Sequence, residues 1–273
     1  MENLRHRSGS SAYFVARVDD EPVGCASCLV FPGTEGGSFA HADVSVLAEN
    51  RRHGIGTALA RAVSEHARKL GKIGLTVEAR EDTPEASTYL EKRGFVEVER
   101  QKALALQLAG LDLPGPQPPT GVQIVTLEQR PELDRAMYRV GLEAGRDIPG
   151  LDSEHEPSFE QWRSFEIERP SRKPEWIFVA VAGDDVVGYA SLEGYGDVAV
   201  HGLTAVRRAW RRRGVARALK LSELRAAQAA GVRRVLTESE ERNEPMRRLN
   251  EKLGFVPAPE WSTVVMQGPV QGA

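Results

Sequence analysis

The sequence predicts an α/β protein built from two tandem repeats, each with a sheet flanked by helices. In the first half, strand-like apolar runs and helical periodicities follow one another in the order β-β-β-α-β-α-β. The same order returns in the second half, beyond a Pro- and Gly-rich stretch at 113–121. A single shift of the chain places Arg51 on Arg211 and aligns the halves without a gap from residue 44 to residue 96. The chain is therefore a tandem duplication.

Composition and charge limit the classes of function. The chain has 273 residues, of which 41% are hydrophobic, and this is enough for two domains with cores of their own. A net charge of -3 and a pI near 6.1 give no global basic surface for a nucleic acid or a membrane. The sequence contains no apolar run near 18 residues and no charged-then-apolar leader, so we expect a cytoplasmic protein without a membrane anchor.

The first repeat is predicted to open with a hairpin. Strands at 12–18 and 23–31 flank an Asp-Asp-Glu-Pro turn. The elements that follow are strand 38–47, helix 54–70, strand 75–79, helix 84–93 and a final strand or hairpin at 95–108. Gly71 and Gly94 end the two helices.

The second repeat contains the same elements after three additional ones. The additional elements are a strand at 122–127 and helices at 131–144 and 158–168, with a loop at 147–157. The shared elements are strands 176–181, 186–192 and 197–206, a helix from the basic turn to 230, strand 232–238, helix 245–253 and a strand region at 255–266. Either the first copy has lost one strand and two helices, or the true start of the protein lies upstream. The predicted domains are 1–112 and 122–273, joined by the linker 113–121.

The basic turn at 211–216 lies between a strand and a helix, and its residue types suit an anion. Unpaired N–H groups and the dipole at a helix start favour negative charge. Gly214 and Ala216 let a diphosphate approach the main chain, while Arg211, Arg212 and Arg213 supply charged donors. The spacing differs from that of a nucleoside triphosphatase, whose lysine is absent. A basic helix start is often only a solvated end, but its repetition in the first half favours a phosphate site.

Cys25 and Cys28 form a single C-x-x-C in a strand-like run. Residues three apart in a strand face opposite sides, a zinc site would need a second pair, and a redox motif would open a helix. We therefore expect two buried thiols and no metal.

The motifs together resemble the GNAT superfamily, the Gcn5-related N-acetyltransferases. The resemblance lies in a strand followed by R-R-R-G-V-A at a helix start, and in N-x-x-M-x-x-x-N-x-x-L-G-F near the end. It covers both halves, the second almost completely. It implies that each half is a mixed, mostly antiparallel sheet flanked by helices, and that the activity is transfer of an acetyl group from acetyl-coenzyme A to a primary amine, mainly in the C-terminal domain.

The resemblance places the coenzyme between the fourth and fifth strands of the domain. The turn that would bind the pyrophosphate comprises Arg211, Arg212, Arg213, Gly214, Val215 and Ala216. The residues that would flank the pantetheine and thioester are Leu203, Thr204, Ala205 and Val206, with Asn243 and Asn250 as further coenzyme contacts. A candidate second coenzyme site in the first repeat comprises Arg51, Arg52, His53, Gly54, Ile55 and Gly56.

Acetyl transfer needs a neutral amine and a polarised thioester carbonyl. His201 is one candidate base because the side chain titrates near neutrality and the alignment puts His41 in the same place. The alternative is that His201 is a structural residue, hydrogen-bonded within its strand. Glu193 and Glu238, at strand ends, are rival bases that would act through water, or else ordinary rim carboxylates.

One departure from the family concerns the leaving thiolate. Many members carry a tyrosine in the last helix that protonates it, but Asn250 occupies that place here, and an amide cannot donate a proton in this way. The first repeat has Leu90 there, with Tyr89 about 100° away round the helix. We therefore expect water or the coenzyme thiol to take the place of this tyrosine.

The acceptor is an unidentified small-molecule or protein amine. Its walls are expected from loop 147–157 and the helix that follows, which offer Asp147, Asp152, Glu154, His155 and Trp162. The acids would attract an amine, or the loop is simply a polar surface loop. A non-catalytic coenzyme A-binding or dimerisation module is the alternative function, and a homodimer stays open. The acidic total charge argues against a nucleic-acid partner.

Overall fold

The structure is a computed structural model that describes residues 11–31, 36–148 and 156–270. These residues form two compact units. Unit 1 contains the described residues up to 101 together with 260–270, and unit 2 contains those from 102 to 259. The units therefore divide the chain at other positions than the predicted linker.

Unit 1 follows the predicted order of elements. It contains strands β1 (Ala12–Val18), β2 (Glu21–Leu29), β3 (Phe39–Val46), β4 (Gly74–Arg80) and the first part of β5 (Val96–Gln107), with helices α1 (Ile55–Lys69) and α2 (Pro84–Glu91). Asp19 and Asp20 join β1 to β2, with positive φ values of 51° and 66°. Two successive positive φ angles are what a type I′ hairpin turn requires.

The last strand of the chain completes the sheet of unit 1. β12 (Thr263–Pro269) lies between β4 and β5, and its Val265 is opposite Glu78 on one side and Glu99 on the other. The strand order is β1-β2-β3-β4-β12-β5. We had predicted one strand region at 255–266; the structure forms β11 (Val256–Pro257) in unit 2 and then β12 in unit 1. A strand's partner is a long-range choice that its own alternation of side chains does not encode.

One apolar cluster forms the core of unit 1. Leu59 and Val63 of α1 are buried in it, and so are Val264 and Met266 of β12. Burying a side chain of this size stabilises by about 1.5–3 kcal/mol. The fold of unit 1 therefore depends on the last strand of the chain.

Unit 2 contains the additional elements as well as the shared ones. Its strands are β6 (Val122–Thr126), β7 (Arg172–Ala182), β8 (Asp185–Tyr195), β9 (Val198–Val206), β10 (Arg234–Glu240) and the second part of β5, in the order β5-β10-β9-β8-β7-β6, with β11 paired to β5. Its helices are α3 (Asp134–Gly145), α4 (Phe159–Glu166), α5 (Val215–Ala229) and α6 (Glu244–Lys252). Helices α3 and α4 pack in one apolar cluster and α5 in another, on opposite faces of β7 and β8. None of the described helices is both long and apolar enough to cross a membrane.

The stretch predicted as a linker packs within unit 2. Leu113 is buried in a cluster that includes α5, and its carbonyl oxygen accepts a hydrogen bond from Nη1 of Arg225 at 2.9 Å. The side-chain amide of Gln228 donates to the carbonyl oxygen of Leu108 at 2.8 Å. Leu113, the first residue of the predicted linker, is therefore held against α5, and the linker 113–121 stays a prediction.

The two cysteines differ in exposure. Cys28 is buried, and burial raises the pKa of its thiol to about 11. Cys25 is exposed, so the expectation of two buried thiols is wrong for Cys25. The reason is the alternation of β2, which sends side chains three residues apart to opposite faces.

We predict that Gly268→Ala destabilises unit 1. A Cβ at Gly268 would collide with the buried ring of Phe95. Overpacking of this kind costs about 1–3 kcal/mol, so the urea midpoint should fall and amide hydrogen exchange should rise in β4 and β12. Gly115→Ala is the control, because a Cβ there meets nothing within 4 Å. Equal midpoints for the two variants would contradict this packing of β12.

Candidate active site

The basic turn begins α5 with an unusual backbone. Arg212 and Gly214 have positive φ values of 60° and 91°, and Gly214 directly precedes the helix. A Cβ at Gly214 would meet nothing within 4 Å, so the space in front of the turn is open. The first N–H groups of a helix have no intrahelical partner, and no described side chain caps them here. The turn is therefore an open cradle of main-chain donors that fits a phosphate.

Unit 1 repeats this turn at the start of α1. Arg52 and Gly54 have positive φ values of 66° and 81°, and Gly54 precedes the helix. In unit 1, Nε of Arg51 donates to a strand carbonyl oxygen at 3.0 Å, as Nε of Arg211 does in unit 2. The two turns thus share their backbone geometry as well as their sequence.

Asp147, at the end of α3, holds the arginines of the unit 2 turn. Its carboxylate accepts from Nη2 and Nε of Arg208 at 2.6 and 2.8 Å and lies 2.8 Å from Nη1 of Arg211. The hydrogen bond from Arg208, followed by that from Arg211, holds the pKa of Asp147 well below its usual range. Asp147 was offered by the sequence as an acceptor residue; the structure places it against the turn.

The structure says less about the other residues that were expected to line the amine-binding site. Asp152, Glu154 and His155 lie outside the described residues. Trp162 is buried on α4, with its ring centroid 6.2 Å from that of Tyr189 on β8. Its side chain therefore belongs to the core between the helices and the sheet.

The central strands of unit 2 separate part of the way along. β9 and β10 pair in parallel from Val198 opposite Arg234 to Val200 opposite Leu236. Beyond these pairs β9 continues to Val206 and β10 to Glu240. Main-chain groups along the separated parts lack each other as ladder partners. This opening is where the resemblance implies that the coenzyme lies.

A β-bulge lies in β9 at this opening. Ala190 of β8 is opposite Thr204, whereas Leu192 is opposite His201. Residues 202 and 203 together therefore face one residue of β8. The extra residue of a bulge leaves a main-chain group outside the ladder, so this stretch of β9 offers donors that the sheet does not use.

The bulge reverses the alternation of side chains along β9. Upstream of it, Ala199 and His201 face α5. Downstream, Leu203 and Ala205 face α3 and α4, although all four have odd numbers. A one-residue insertion is what exchanges the two faces of a strand.

Unit 1 has a continuous ladder at the equivalent place. β2 and β3 pair in one register from Gly24 opposite Val46 to Leu29 opposite His41. Within the described residues of these two strands, the register has no bulge.

The bulge also corrects the alignment of the repeats. Four residues beyond the first glycine pair of each ladder, Cys28 is opposite Ala42 in unit 1 and Leu192 is opposite His201 in unit 2. His201 therefore corresponds to Ala42. The expectation that His41 shares its place is wrong, because unit 2 has one residue more in this strand.

His201 is buried on the α5 side of the sheet. Its Nδ1 lies 3.1 Å from Oε2 of Glu223, and the two side chains are 1% and 0% exposed. Burial, followed by the positive charge of Lys220, lowers the pKa of His201. The buried imidazole is too little exposed to contact an acceptor amine directly.

Glu193 is engaged in an ion-pair network. Its Oε1 accepts from Nε and Nη2 of Arg172 at 3.1 and 3.0 Å, and its Oε2 accepts from the hydroxyls of Ser171 and Tyr195 at 2.9 and 2.8 Å. Burial acts to raise the pKa of Glu193, but these hydrogen bonds and the charge of Arg172 lower it overall. Glu238 is exposed on β10 beyond the last pair with β9.

Arg172 also contacts the bulge. A Cβ at Gly202 would lie 2.8 Å from Nη2 of Arg172 and 2.5 Å from Oγ of Ser191. Arg172 is itself buried and paired with both Glu166 and Glu193. Residue 202 must therefore be glycine, because any side chain there would collide with Ser191 and Arg172.

The two predicted asparagines differ in their surroundings. Oδ1 of Asn243 accepts from the main-chain N–H of Met246 at 3.4 Å and so caps α6. Asn250 is fully buried, and neither of its amide atoms has a hydrogen-bond partner among the described residues. A buried amide without a partner costs about 1–3 kcal/mol, a cost that a bound polar group would remove.

Sequence reasoning missed three charged residues in unit 2: Arg172, Lys220 and Glu223. The repeat contained a signal for the last two, since the aligned residues of the first half are Ala60 and Val63. Charged residues at positions where the other copy is apolar indicate that the two copies differ in function there. Arg172 lies at the start of β7, before residue 176, where the elements shared by the two repeats begin.

Known proteins with similar sequences are acetyltransferases. The sequence profile of the acetyltransferase (GNAT) family matches residues 1–95 and 142–255. A mycothiol acetyltransferase of Thermobifida fusca is 30% identical, over 98% of this chain and 86% of that protein. One of Nocardiopsis dassonvillei is 29% identical, over 96% of this chain and 83% of that protein.

Solved structures agree with the fold. A GCN5-related N-acetyltransferase from Sphaerobacter thermophilus has a TM-score of 0.70 at 25% identity and covers 96% of this chain and 81% of its own. A tandem GNAT protein from the clavulanic acid biosynthesis pathway has a TM-score of 0.74 at 24% identity, covering 96% and 84%. The prediction of two tandem α/β domains of this fold is confirmed.

We predict that Gly202→Ala disturbs the bulge. The added methyl group would be forced against Ser191 and Arg172, at a cost of about 1–3 kcal/mol. Turnover should fall more than coenzyme A affinity, because the turn at 211–216 is untouched. The test is the separate measurement of kcat and of the coenzyme A dissociation constant. Wild-type kcat in this variant would contradict the close contact.

We predict that the effect of Glu193→Gln on stability depends on pH. A lowered pKa in the folded protein adds stability that is fully present above the carboxyl's unfolded pKa. That stability is lost as the pH falls through the folded pKa. Urea unfolding should therefore show a deficit for Glu193→Gln at pH 7 that narrows towards pH 3, and a deficit independent of pH would contradict the ion-pair network.

Proposed function

Since the chain belongs to the acetyltransferase (GNAT) family and is an N-acetyltransferase, we propose that unit 2 transfers the acetyl group of acetyl-coenzyme A to the primary amine of a small molecule. Members of this family generally use acetyl-coenzyme A. One observation carries the proposal. The bulge of β9 at 202–203 and the turn at 211–216 lie in one short stretch of chain, joined by a 3-10 turn at 208–210, and this order supports a thioester site followed by a pyrophosphate site.

Different residues of this stretch contact different parts of the coenzyme. The main-chain donors of 214–216 and the side chains of Arg212 and Arg213 bind the pyrophosphate. The opening between β9 and β10 holds the pantetheine arm, and the donors of the bulge polarise the thioester carbonyl. The amine attacks the carbonyl carbon, its C–N bond forms as the C–S bond breaks, and the thiolate leaves.

Proton transfer uses groups at the opening. Glu238 is the base that this arrangement favours, because it is exposed on β10 beyond the pairs with β9. The side chains of His201 and Glu193, the other candidates, are only 1% and 12% exposed. Asn250 can donate a hydrogen bond to the departing sulfur but no proton, so water protonates the thiolate.

Unit 1 has a different part in this proposal. It keeps the cradle at 51–56, but its strands β2 and β3 form a continuous ladder. We assign to it a non-catalytic coenzyme A site. The names of the relatives support one acceptor over others: both relatives named above are mycothiol acetyltransferases, so mycothiol without its acetyl group is the first amine to test.

The test compares Gly214→Glu with its matched control Gly54→Glu. A glutamate at 214 places a negative charge in the cradle and forces a side chain to a φ of 91°. We expect kcat/KM for acetyl-coenzyme A to fall about tenfold or more in Gly214→Glu. Gly54→Glu should remove only the coenzyme A binding that calorimetry assigns to unit 1. Glu238→Gln should lower kcat about a hundredfold.

The outcomes separate the parts of the proposal. Unchanged turnover in Gly214→Glu would contradict catalysis by unit 2, and lost turnover in Gly54→Glu would move it to unit 1. Turnover of other amines in a panel, but not of the mycothiol precursor, would overturn the acceptor alone.

A further inference from the structure

Unit 2 buries three ionisable side chains between β9 and α5. The exposed fractions of His201, Glu223 and Lys220 are 8%, 0% and 1% of each residue. Nδ1 of His201 lies 3.1 Å from Oε2 of Glu223. Lys220 stands one helical turn before Glu223 on α5, and its burial, partly offset by Glu223, lowers its pKa to about 8. We call these three residues the buried trio.

The trio is not needed for packing. Neither ring nitrogen of His201 and neither carboxylate oxygen of Glu223 has a hydrogen-bond partner among the described residues, so the 3.1 Å approach of Nδ1 to Oε2 is a close contact between two ionisable groups. Replacing buried ion pairs with apolar residues of similar volume is often neutral or stabilising. A fold that needed only a core here would have apolar residues.

Unit 1 has apolar residues at the same three places. Ala42 corresponds to His201 through the strand register, and Ala60 and Val63 correspond to Lys220 and Glu223. Ala42 and Val63 are buried in the unit 1 core. The two copies thus differ at all three positions together, which indicates that the trio serves something found only in unit 2.

The bulge of β9, like the buried trio, is present in unit 2, whereas the described ladder of β2 and β3 in unit 1 has none. His201 is the last residue before the bulge and the first residue of β9 beyond its pairs with β10. At this point β9 loses its neighbour on one side and its regular ladder on the other. A side chain anchored to α5 supplies the constraint that the ladder no longer provides.

We propose that the buried trio positions the bulge of β9 for acetyl transfer by tying His201 to α5. The carboxylate of Glu223 lies 3.1 Å from Nδ1 of His201, and Lys220 balances its charge. All three are positioning residues that act through the main chain of residues 202 and 203. The proposal rests on the proposed function of unit 2.

The test gives unit 2 the residues that unit 1 uses. In the variant His201→Ala/Lys220→Ala/Glu223→Val, we expect an unchanged or higher Tm and coenzyme A affinity within about threefold of the parent. We expect kcat to fall about 10- to 100-fold with little change in KM. Amide hydrogen exchange should become faster in 199–205 and stay unchanged in the turn at 211–216. Ser222→Ala, on the same helix, is the control.

Two further variants keep the test decisive if the triple replacement unfolds. Glu223→Gln keeps a polar side chain of the same size beside Nδ1 of His201 and should keep kcat within about threefold of the parent. Glu223→Val removes that polar contact and should lower kcat as the triple variant does. Wild-type kcat and wild-type exchange in the triple variant would overturn the proposal, as would equal kcat values for Glu223→Gln and Glu223→Val. If the parent shows no acetyl transfer, the proposed function fails, and the exchange of 199–205 still decides whether the trio fixes the bulge.

Discussion

The hydrogen-bond ladder of the strands is the constraint on which this structure depends. Each strand must find partners for its main-chain groups, and β12 meets that demand in unit 1 by pairing with β4 and β5 at once. Unit 2 departs from the rule where β9 separates from β10 and carries a bulge. The same groups that stabilise a sheet when paired become donors for a substrate when they are left outside the ladder.

The two copies show what the fold alone requires and what chemistry adds. Both keep a left-handed residue two places before the glycine that starts the helix. Only unit 2 adds the bulge, and it surrounds the bulge with charge on both faces, Arg172 on one and His201 with Glu223 on the other. Buried charges lower stability unless they are paired. Their presence in the copy with the open strand is therefore best explained by positioning.

Much of the fold was readable because its signals are local. The hairpin at Asp19 and Asp20, the helix stops at glycine and the order of strands and helices depend on residues within a few positions of one another. The cradle was readable for the same reason, as its strand, turn and helix are contiguous. His201 was readable as a residue of interest but not as a buried one, because the sequence does not tell which face of β9 it occupies once a bulge intervenes.

The sequence by itself determined the duplication, the family resemblance, the phosphate turn and the loss of the family's tyrosine at Asn250. Only the tertiary structure decided where β12 pairs, that His201 corresponds to Ala42, and that Asp147 holds Arg208 and Arg211. The physical reason is the range of the interactions. Propensity, turn geometry and periodicity act between near neighbours in the chain, whereas register, strand partners and buried ion pairs are settled by groups that meet only after folding.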